Sequence, residues 1–253
     1  MLWPELEPLD RFRAAADVGF RSVEMLFPHE LDAQELARVL SQLGLEMVVF
    51  DPAAGDWKNG ERGLMSLPGR EDEFLGTVLA ALELAARIGT KHLNILAGTP
   101  SASLPPDEVE RTLLNNLKRA ADLCAREEIT VLIENINHVD MPGYRIGTVA
   151  EAARIVEAAN SHNVRLQLDQ YHATMAGEDP IAVLATHLPR VAHVQVADVP
   201  GRHQPGTGKA PIIAFLDDLD RAGFDGYVGL EYRPLGATRD SLRWMDRFRL
   251  GAD

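Results

Sequence analysis

Four short apolar runs in this 253-residue chain each end in a side chain that offers an oxygen: TVLIEN at Glu134, VRLQLD at Asp169, AHVQ at Gln195 and YVGLEY at Glu231. A carboxylate or amide buried at the tip of a strand is costly unless something binds it. Four in succession therefore point to a shared ligand, most simply a hard divalent cation. Oxygen donors without thiolate or imidazole suit Mg²⁺ or Mn²⁺ better than Zn²⁺. The separations are 35, 26 and 36 residues, close to one strand-plus-helix unit each and too long for hairpins. Such spacing predicts parallel strands whose C-terminal ends share one face. A single glutamate ending a strand is more often a salt-bridge partner or a helix cap. It is the set of four that points to chemistry.

Strand-like and helix-like segments alternate along the rest of the chain with no low-complexity linker between them. RFRAAADVGF, DAQELARVLSQLG, REDEFLGTVLAALELAARIG, PPDEVERTLLNNLKRAADLCAREE, TVAEAARIVEAAN, DPIAVLATHL, APIIAFLDDLDRAG and TRDSLRWMDRFR have helical spacing. RSVEML, LEMVVF, KHLNILAG, ITVLIEN, NVRLQLDQYH, RVAHVQVAD and GYVGLEYRP read as strands. Pro105 and Pro106 before Asp107 and Glu108 mark a helix start. Seven strands and eight helices predict a (β/α)8 TIM barrel whose first strand is truncated or absent, because only Met1, Leu2 and Trp3 precede Pro4. A gap between the flanking strands would expose two parallel edges, to be covered by the N-terminal stub or by a partner chain in a homo-oligomer.

Bulk properties fit this reading. The length suits one domain over residues 1–253. Thirty-eight acidic against twenty-five basic residues give a net charge of −13, which argues against nucleic acid or an anionic membrane surface and favours a small-molecule partner. One cysteine, Cys124, permits no intrachain disulfide and fits a cytoplasmic setting. No apolar stretch is long enough to span a bilayer, and MLWPELEPLD has neither the basic start nor the apolar run of an export signal.

Several longer stretches resemble the hydroxypyruvate isomerases, within the xylose-isomerase-like barrels that also include ketose 3-epimerases and endonuclease IV. They are GFRSVEMLFP, AAGDWKNGERGLMSLPGREDEF, IENINHVDMPGY, QLDQYH, HVQVADVPGRHQPGTG, GLEYRP and SLRWMD, in order over nearly the whole chain. The resemblance implies an eight-stranded barrel with a divalent metal at the strand ends, held by Glu134, Asp169, Gln195 and Glu231. Epimerase relatives have histidine in place of Gln195. Two departures stand out: the family's usual first strand is not matched, and Asp51-Pro52 replaces a common asparagine-leucine in the pocket wall. The reaction implied is a 1,2-hydrogen shift between an α-hydroxy ketone and an α-hydroxy aldehyde, hydroxypyruvate to tartronate semialdehyde. The metal would stabilise the enediolate, and Glu134 and Glu231 would take and return the proton.

An anionic substrate needs a cation. Arg202 in VPGRHQPGTG and Arg62 in GERG lie on loops expected at the catalytic face. Arg62 reads equally as a partner of Glu61 or Asp56, and Arg70 as structural. His172 in DQYH reads as a contact to a substrate oxygen or as a histidine satisfied in its loop. His138 and Asp140 read as support for Glu134 or as part of a turn, His193 as a barrel-interior residue of structural role, and Trp57 as a lid or a loop anchor. The glycines of QPGTG lack the spacing of a dinucleotide fingerprint, so no nicotinamide cofactor is expected. The alternatives are an isomerase of a four-carbon 2-oxo acid (2-oxo-tetronate) or a sugar 3-epimerase, an endonuclease IV-like nuclease, which would need a histidine-rich multi-zinc cluster, and an inactive barrel.

Overall fold

The computed structural model describes residues 1–249. The chain alternates α1 (Pro8–Asp17), β1 (Ser22–Met25), α2 (Ala33–Leu43), β2 (Glu46–Phe50), α3 (Glu71–Ile88), β3 (His92–Asn94), α4 (Pro106–Arg126), β4 (Thr130–Glu134), α5 (Val149–Ala159), β5 (Val164–Asp169), α6 (Gln170–Met175), α7 (Pro180–His187), β6 (Val191–Val196), α8 (Ile212–Arg221) and β7 (Tyr227–Leu230). Two short helices, α9 (Thr238–Ser241) and α10 (Asp246–Arg249), follow. All strand pairings are parallel and sequential, β1 to β7. The result is a nearly closed barrel of seven strands, as the alternation predicts. The expected domain of 1–253 runs into residues 250–253, which lie outside the described residues.

The central strands are buried on both faces, as parallel strands covered by helices must be. Val131, Leu132 and Ile133 of β4 are fully buried, and the helices lay Leu36, Val78, Leu113, Ile155 and Phe215 into the same core. Helix ends follow local chemistry. Asp32 accepts from the Glu35 N–H at 2.8 Å, Thr148 and Glu151 form a reciprocal cap, and α2 and α3 stop at Gly44 and Gly89 in left-handed conformation.

Three sequence expectations shift. The segment KHLNILAG pairs as a strand only over β3; beyond it Ala97 bridges to Gly63 of the preceding loop. Gly63 sits at φ +117°, and a β-carbon there would strike the Leu96 carbonyl at 2.3 Å. QYH is helical rather than extended, because Asp169 accepts from the His172 N–H at 2.9 Å and turns the chain into α6 at the strand tip. TRDSLRWMDRFR does not form one helix; it folds around buried Tyr232, whose hydroxyl bonds the Ser241 carbonyl.

The sheet stays open between β1 and β7. A cavity of about 440 Å³ occupies the seam, lined by Val23, Met25, Phe50, Val228 and Leu230, with Gln195 and Glu231 at its polar end. Side chains cross the gap: Glu24 of β1 meets the His193 Nε2 of β6 at 2.7 Å, and the Tyr227 hydroxyl donates to Glu46 at 2.8 Å. Trp3 is buried against Tyr171, Val199, Tyr232 and Leu242, and its main-chain N–H donates to the Thr238 hydroxyl at 3.0 Å. Truncating Phe215, fully buried on α8, to alanine is expected to destabilise the fold by about 3–5 kcal/mol, read from the midpoint of denaturant unfolding.

Candidate active site

Every strand carries an acid or amide at or near its C-terminal end: Glu24 in β1, Asp51 just after β2, Asn94 ending β3, Glu134 ending β4, Asp169 ending β5, Gln195 in β6 and Glu231 just after β7. One ligand atom from each of Glu134, Asp169 and His172 lies within 4.8 Å of the others. Glu134 accepts from the Asn94 amide at 2.7 Å. Asp169 accepts from the His172 N–H, and its main-chain carbonyl accepts from Asn135.

Arg202 is central to this group. Its guanidinium donates to Glu231 at 2.5 Å and to Asp169 at 3.4 Å and stacks 5.0 Å from the Tyr171 ring. Among the described residues it is the guanidinium bonded to any of the five carboxylates Glu24, Asp51, Glu134, Asp169 and Glu231. Its Nε is buried without a partner. The loop that presents it is organised by buried Asp198, whose carboxylate accepts from the N–H groups of Val199, Gly206, Gly208 and Ala210 at 2.8–2.9 Å. Gly208 has to be glycine, since a β-carbon there would meet the Val199 carbonyl at 2.0 Å. This is the structural use of the glycines in QPGTG.

His172 is oriented by its neighbours. Its Nδ1 receives both the Asn137 backbone N–H at 3.3 Å and the Asn137 side-chain amide at 2.5 Å. The amide cannot be reversed, because the Asn137 oxygen already accepts from the Val139 and Asp140 N–H groups. The ring proton is thereby assigned to Nε2, which faces Asp169 at 3.7 Å. Burial, reinforced by Arg202, brings the His172 pKa down to about 3. As placed, the ring is neutral, and with Glu134 and Asp169 it forms a group that could hold a metal ion.

The sequence-predicted residues divide. Glu134, Asp169, Glu231, His172 and Arg202 come together. Gln195 lines the seam cavity with Glu231 but is turned along the barrel interior, accepting from Gln167 at 2.7 Å and donating to Glu24 at 3.3 Å. Arg62 lies apart from them: its guanidinium stacks 4.2 Å from the Trp57 ring and donates to the Trp57 and Glu61 carbonyls, and Trp57 packs edge-on against Phe27. Arg70 pairs with Glu61 and Glu73. His138 bonds the Tyr144 carbonyl, while Asp140 bonds Tyr171 and Asn137 and so backs Arg202 and His172 rather than Glu134. His193 is the interior residue expected. Sequence reading passed over Glu24 and Asn94 as site residues and treated Asp51 only as a change in the wall. Asn94 and Asp51 end or nearly end apolar runs, the same signal that found Glu134, whereas Glu24 lies inside a short strand.

Burial lifts the Glu134 carboxyl well above its usual range, with Glu231, Asp169 and Asp51 adding to the effect. Burial also raises Asp169 and Glu231, in each case opposed by Arg202, and raises Asp51 strongly. This is the electrostatic signature of acids short of positive charge.

The family model of the xylose isomerase-like TIM barrel matches residues 12–248, and the chain belongs to that family. It is 37% identical to the hydroxypyruvate isomerase of Escherichia coli over 98% of this chain and 96% of the relative. It is 40% identical to the 2-oxo-tetronate isomerase of Cupriavidus necator over 97% and 94%. A solved structure named as an AP endonuclease, family 2, from Brucella melitensis superposes with a TM-score of 0.95 at 38% identity, over 98% of this chain and 95% of that one.

The acids set a pH dependence. Without a bound cation the folded state keeps protons on Glu134 and Asp51 that the unfolded chain releases above the ordinary carboxylate range, so their contribution is full below that range and lost as pH rises. The carboxylates depressed by arginine partners, Glu35, Glu61, Glu73 and Glu110, contribute in the opposite sense, but only at lower pH. Burial lowers His172, His29 and His92, and these oppose the fall up to the ordinary imidazole range, so the melting temperature of the ion-free protein is expected to fall as pH rises above about 6.5. Glu134→Gln should flatten that slope, and Mn²⁺ should raise the melting temperature more at the upper end, all measurable by calorimetry.

Proposed function

We propose that this protein is a metal-assisted isomerase of short 2-oxo acids that carry a hydroxyl beside the carbonyl, with hydroxypyruvate or 2-oxo-tetronate as substrate. The observation that carries this reading is a set of five carboxylates at the strand ends, Asp51, Glu134 and Asp169 buried and Glu24 and Glu231 partly so, with Arg202 as the guanidinium bonded to them among the described residues. A donor set of oxygens in that charge state fits Mg²⁺ or Mn²⁺. Glu134 and Asp169 would hold the ion, with Glu231 joined to Asp169 through Arg202 and Gln195 beside Glu231 in the cavity wall. When bound, such an ion polarises the substrate carbonyl and acidifies the neighbouring C–H.

The chain's own residues supply the rest. The unpartnered Nε of Arg202 is a buried donor that a substrate carboxylate would satisfy. The Nε2–H of His172 offers a hydrogen bond to a substrate oxygen. Glu231 and Glu134 differ in their partners, a guanidinium against an amide. Arg202 therefore favours the ionised form of Glu231, which assigns proton removal to Glu231 and its return on the adjacent carbon to Glu134. The identities to two isomerases over nearly full length support the reaction class.

Glu231→Gln is expected to lose both turnover and exchange of the substrate's C–H with deuterated solvent. Glu134→Gln is expected to lose turnover by about 10²- to 10³-fold while keeping part of the exchange, both followed by NMR in D₂O. Normal turnover in either variant would reject the two-carboxylate scheme. Chelation should abolish activity and Mg²⁺ or Mn²⁺ restore it.

The likeness to a structure named as an endonuclease supports a second reading, incision at abasic sites. The convergent trio among the described residues holds one histidine, and Nε2 of that histidine carries the proton, which disfavours a multi-zinc centre. No incision of an abasic duplex in the presence of Zn²⁺ is expected in a gel assay.

A further inference from the structure

Two strand tips carry polar groups that the proton transfers leave unused. Asp51 follows the last residue of β2, is 3% exposed and lines the same cavity as Gln195 and Glu231. Its Oδ2 is buried without a hydrogen-bond partner. Asn94, at the end of neighbouring β3, gives its amide nitrogen to Glu134 and keeps a buried, unpartnered Oδ1. Gln167, also in the cavity wall, gives its nitrogen to Gln195 and leaves its Oε1 unpartnered.

The Asn94 and Gln167 orphans are amide oxygens, and a carboxyl keeps an acceptor oxygen in either protonation state, so all three residues offer an acceptor. Leaving a buried acceptor unpaired costs roughly 1–3 kcal/mol, so three around one site point to a ligand that brings donors. A short sugar acid has few donors to bring. Its carboxylate and carbonyl are acceptors, and only its hydroxyls can donate. In hydroxypyruvate the one hydroxyl sits on a carbon that takes part in the hydrogen shift. A donor for Asp51 therefore has to come from a carbon further along the chain.

We propose that Asp51, with Asn94 beside it, accepts a hydrogen bond from a substrate hydroxyl beyond the two reacting carbons, so that the site selects a four-carbon dihydroxy 2-oxo acid over hydroxypyruvate. This rests on the isomerase reading and names the chain length it leaves open. Asp51 is a specificity residue: it reads the part of the substrate that does not react. A site built to bond a hydroxyl discriminates against the analogue lacking it more strongly than an apolar pocket does.

The test separates binding from turnover. Titration calorimetry compares 2,3,4-trihydroxybutanoate, in each stereoisomer, with its 4-deoxy counterpart in the Mn²⁺-loaded protein; neither acid can isomerise. At least one trihydroxy stereoisomer is expected to bind about tenfold more tightly. Asp51→Leu should bring the pair within about twofold, while Asp51→Asn, which keeps an acceptor, should retain most of the difference. In parallel, the ratio of kcat/KM for 3,4-dihydroxy-2-oxobutanoate over hydroxypyruvate should fall about tenfold in Asp51→Leu, mainly through KM. Equal affinities in the wild-type protein, or a variant that weakens both acids alike, would overturn the proposal while the isomerase reading stands. If neither oxo acid is isomerised but the hydroxyl preference is present and vanishes in Asp51→Leu, the isomerase reading fails and the role of Asp51 holds.

Discussion

Five carboxylates facing one another across the mouth of a barrel, with Arg202 as the guanidinium among them, are the constraint from which the rest of the site follows. Asp51, Glu134 and Asp169 are out of water, Glu24 and Glu231 are partly so, and none can be neutralised by a neighbour of its own kind. The chain meets this in graded ways. Glu231 and Asp169 share Arg202, Asp169 also takes main-chain N–H groups, Glu134 has an amide, Glu24 has His193, and Asp51 keeps an oxygen with no partner. Helices could stack around this sheet with apolar side chains at every one of these positions. The acids are retained at a cost to the empty fold, and a binding function accounts for that cost.

The scaffold around the acids is built from hydrogen bonds that fix direction. Asn137, locked by the turn at Val139 and Asp140, settles which nitrogen of His172 carries its proton. Asp198, saturated by four main-chain donors, holds the loop from which Arg202 reaches back over the strand ends. Asp140 ties Tyr171, on which Arg202 stacks, to Asn137. These side chains touch the groups that would meet a substrate, and their own freedom is removed by backbone contacts. Preorganisation of this kind lets an Nε2–H or an Nε–H act without first being oriented.

Much of this was legible in the chain. Alternating periodicity gave the seven parallel strands, and Glu134, Asp169 and Glu231 announced themselves because each closes a run of branched apolar residues. Glu24 did not, since RSVEML has an acid inside a short amphipathic strand, where an outward-facing glutamate is the ordinary case; in the fold it meets His193 and Gln195 of β6, 169 and 171 residues away. The direction of Gln195 depends on Gln167 and Glu24, which are 28 and 171 residues away, and no local pattern encodes that. Arg62 shared a loop with the catalytic face in sequence, but Trp57 holds its guanidinium through ring stacking. The helix at Gln170 is hidden because NVRLQLDQYH reads as one strand with Asp169 as a ligand in it, and not as the side chain that caps a helix.

The order of the strands has a consequence for how such a centre comes into being. Synthesis proceeds from β1 to β7, so Glu134 and Asp169 leave the ribosome before Arg202, and Glu231 comes after it, roughly 97 residues behind Glu134. A nascent half-barrel ending at β5 thus holds acids whose counter-charge has not been made, and it cannot bury them on favourable terms. Water remains around them until the later strands arrive, which makes the mouth of the barrel the last region of the molecule to dry.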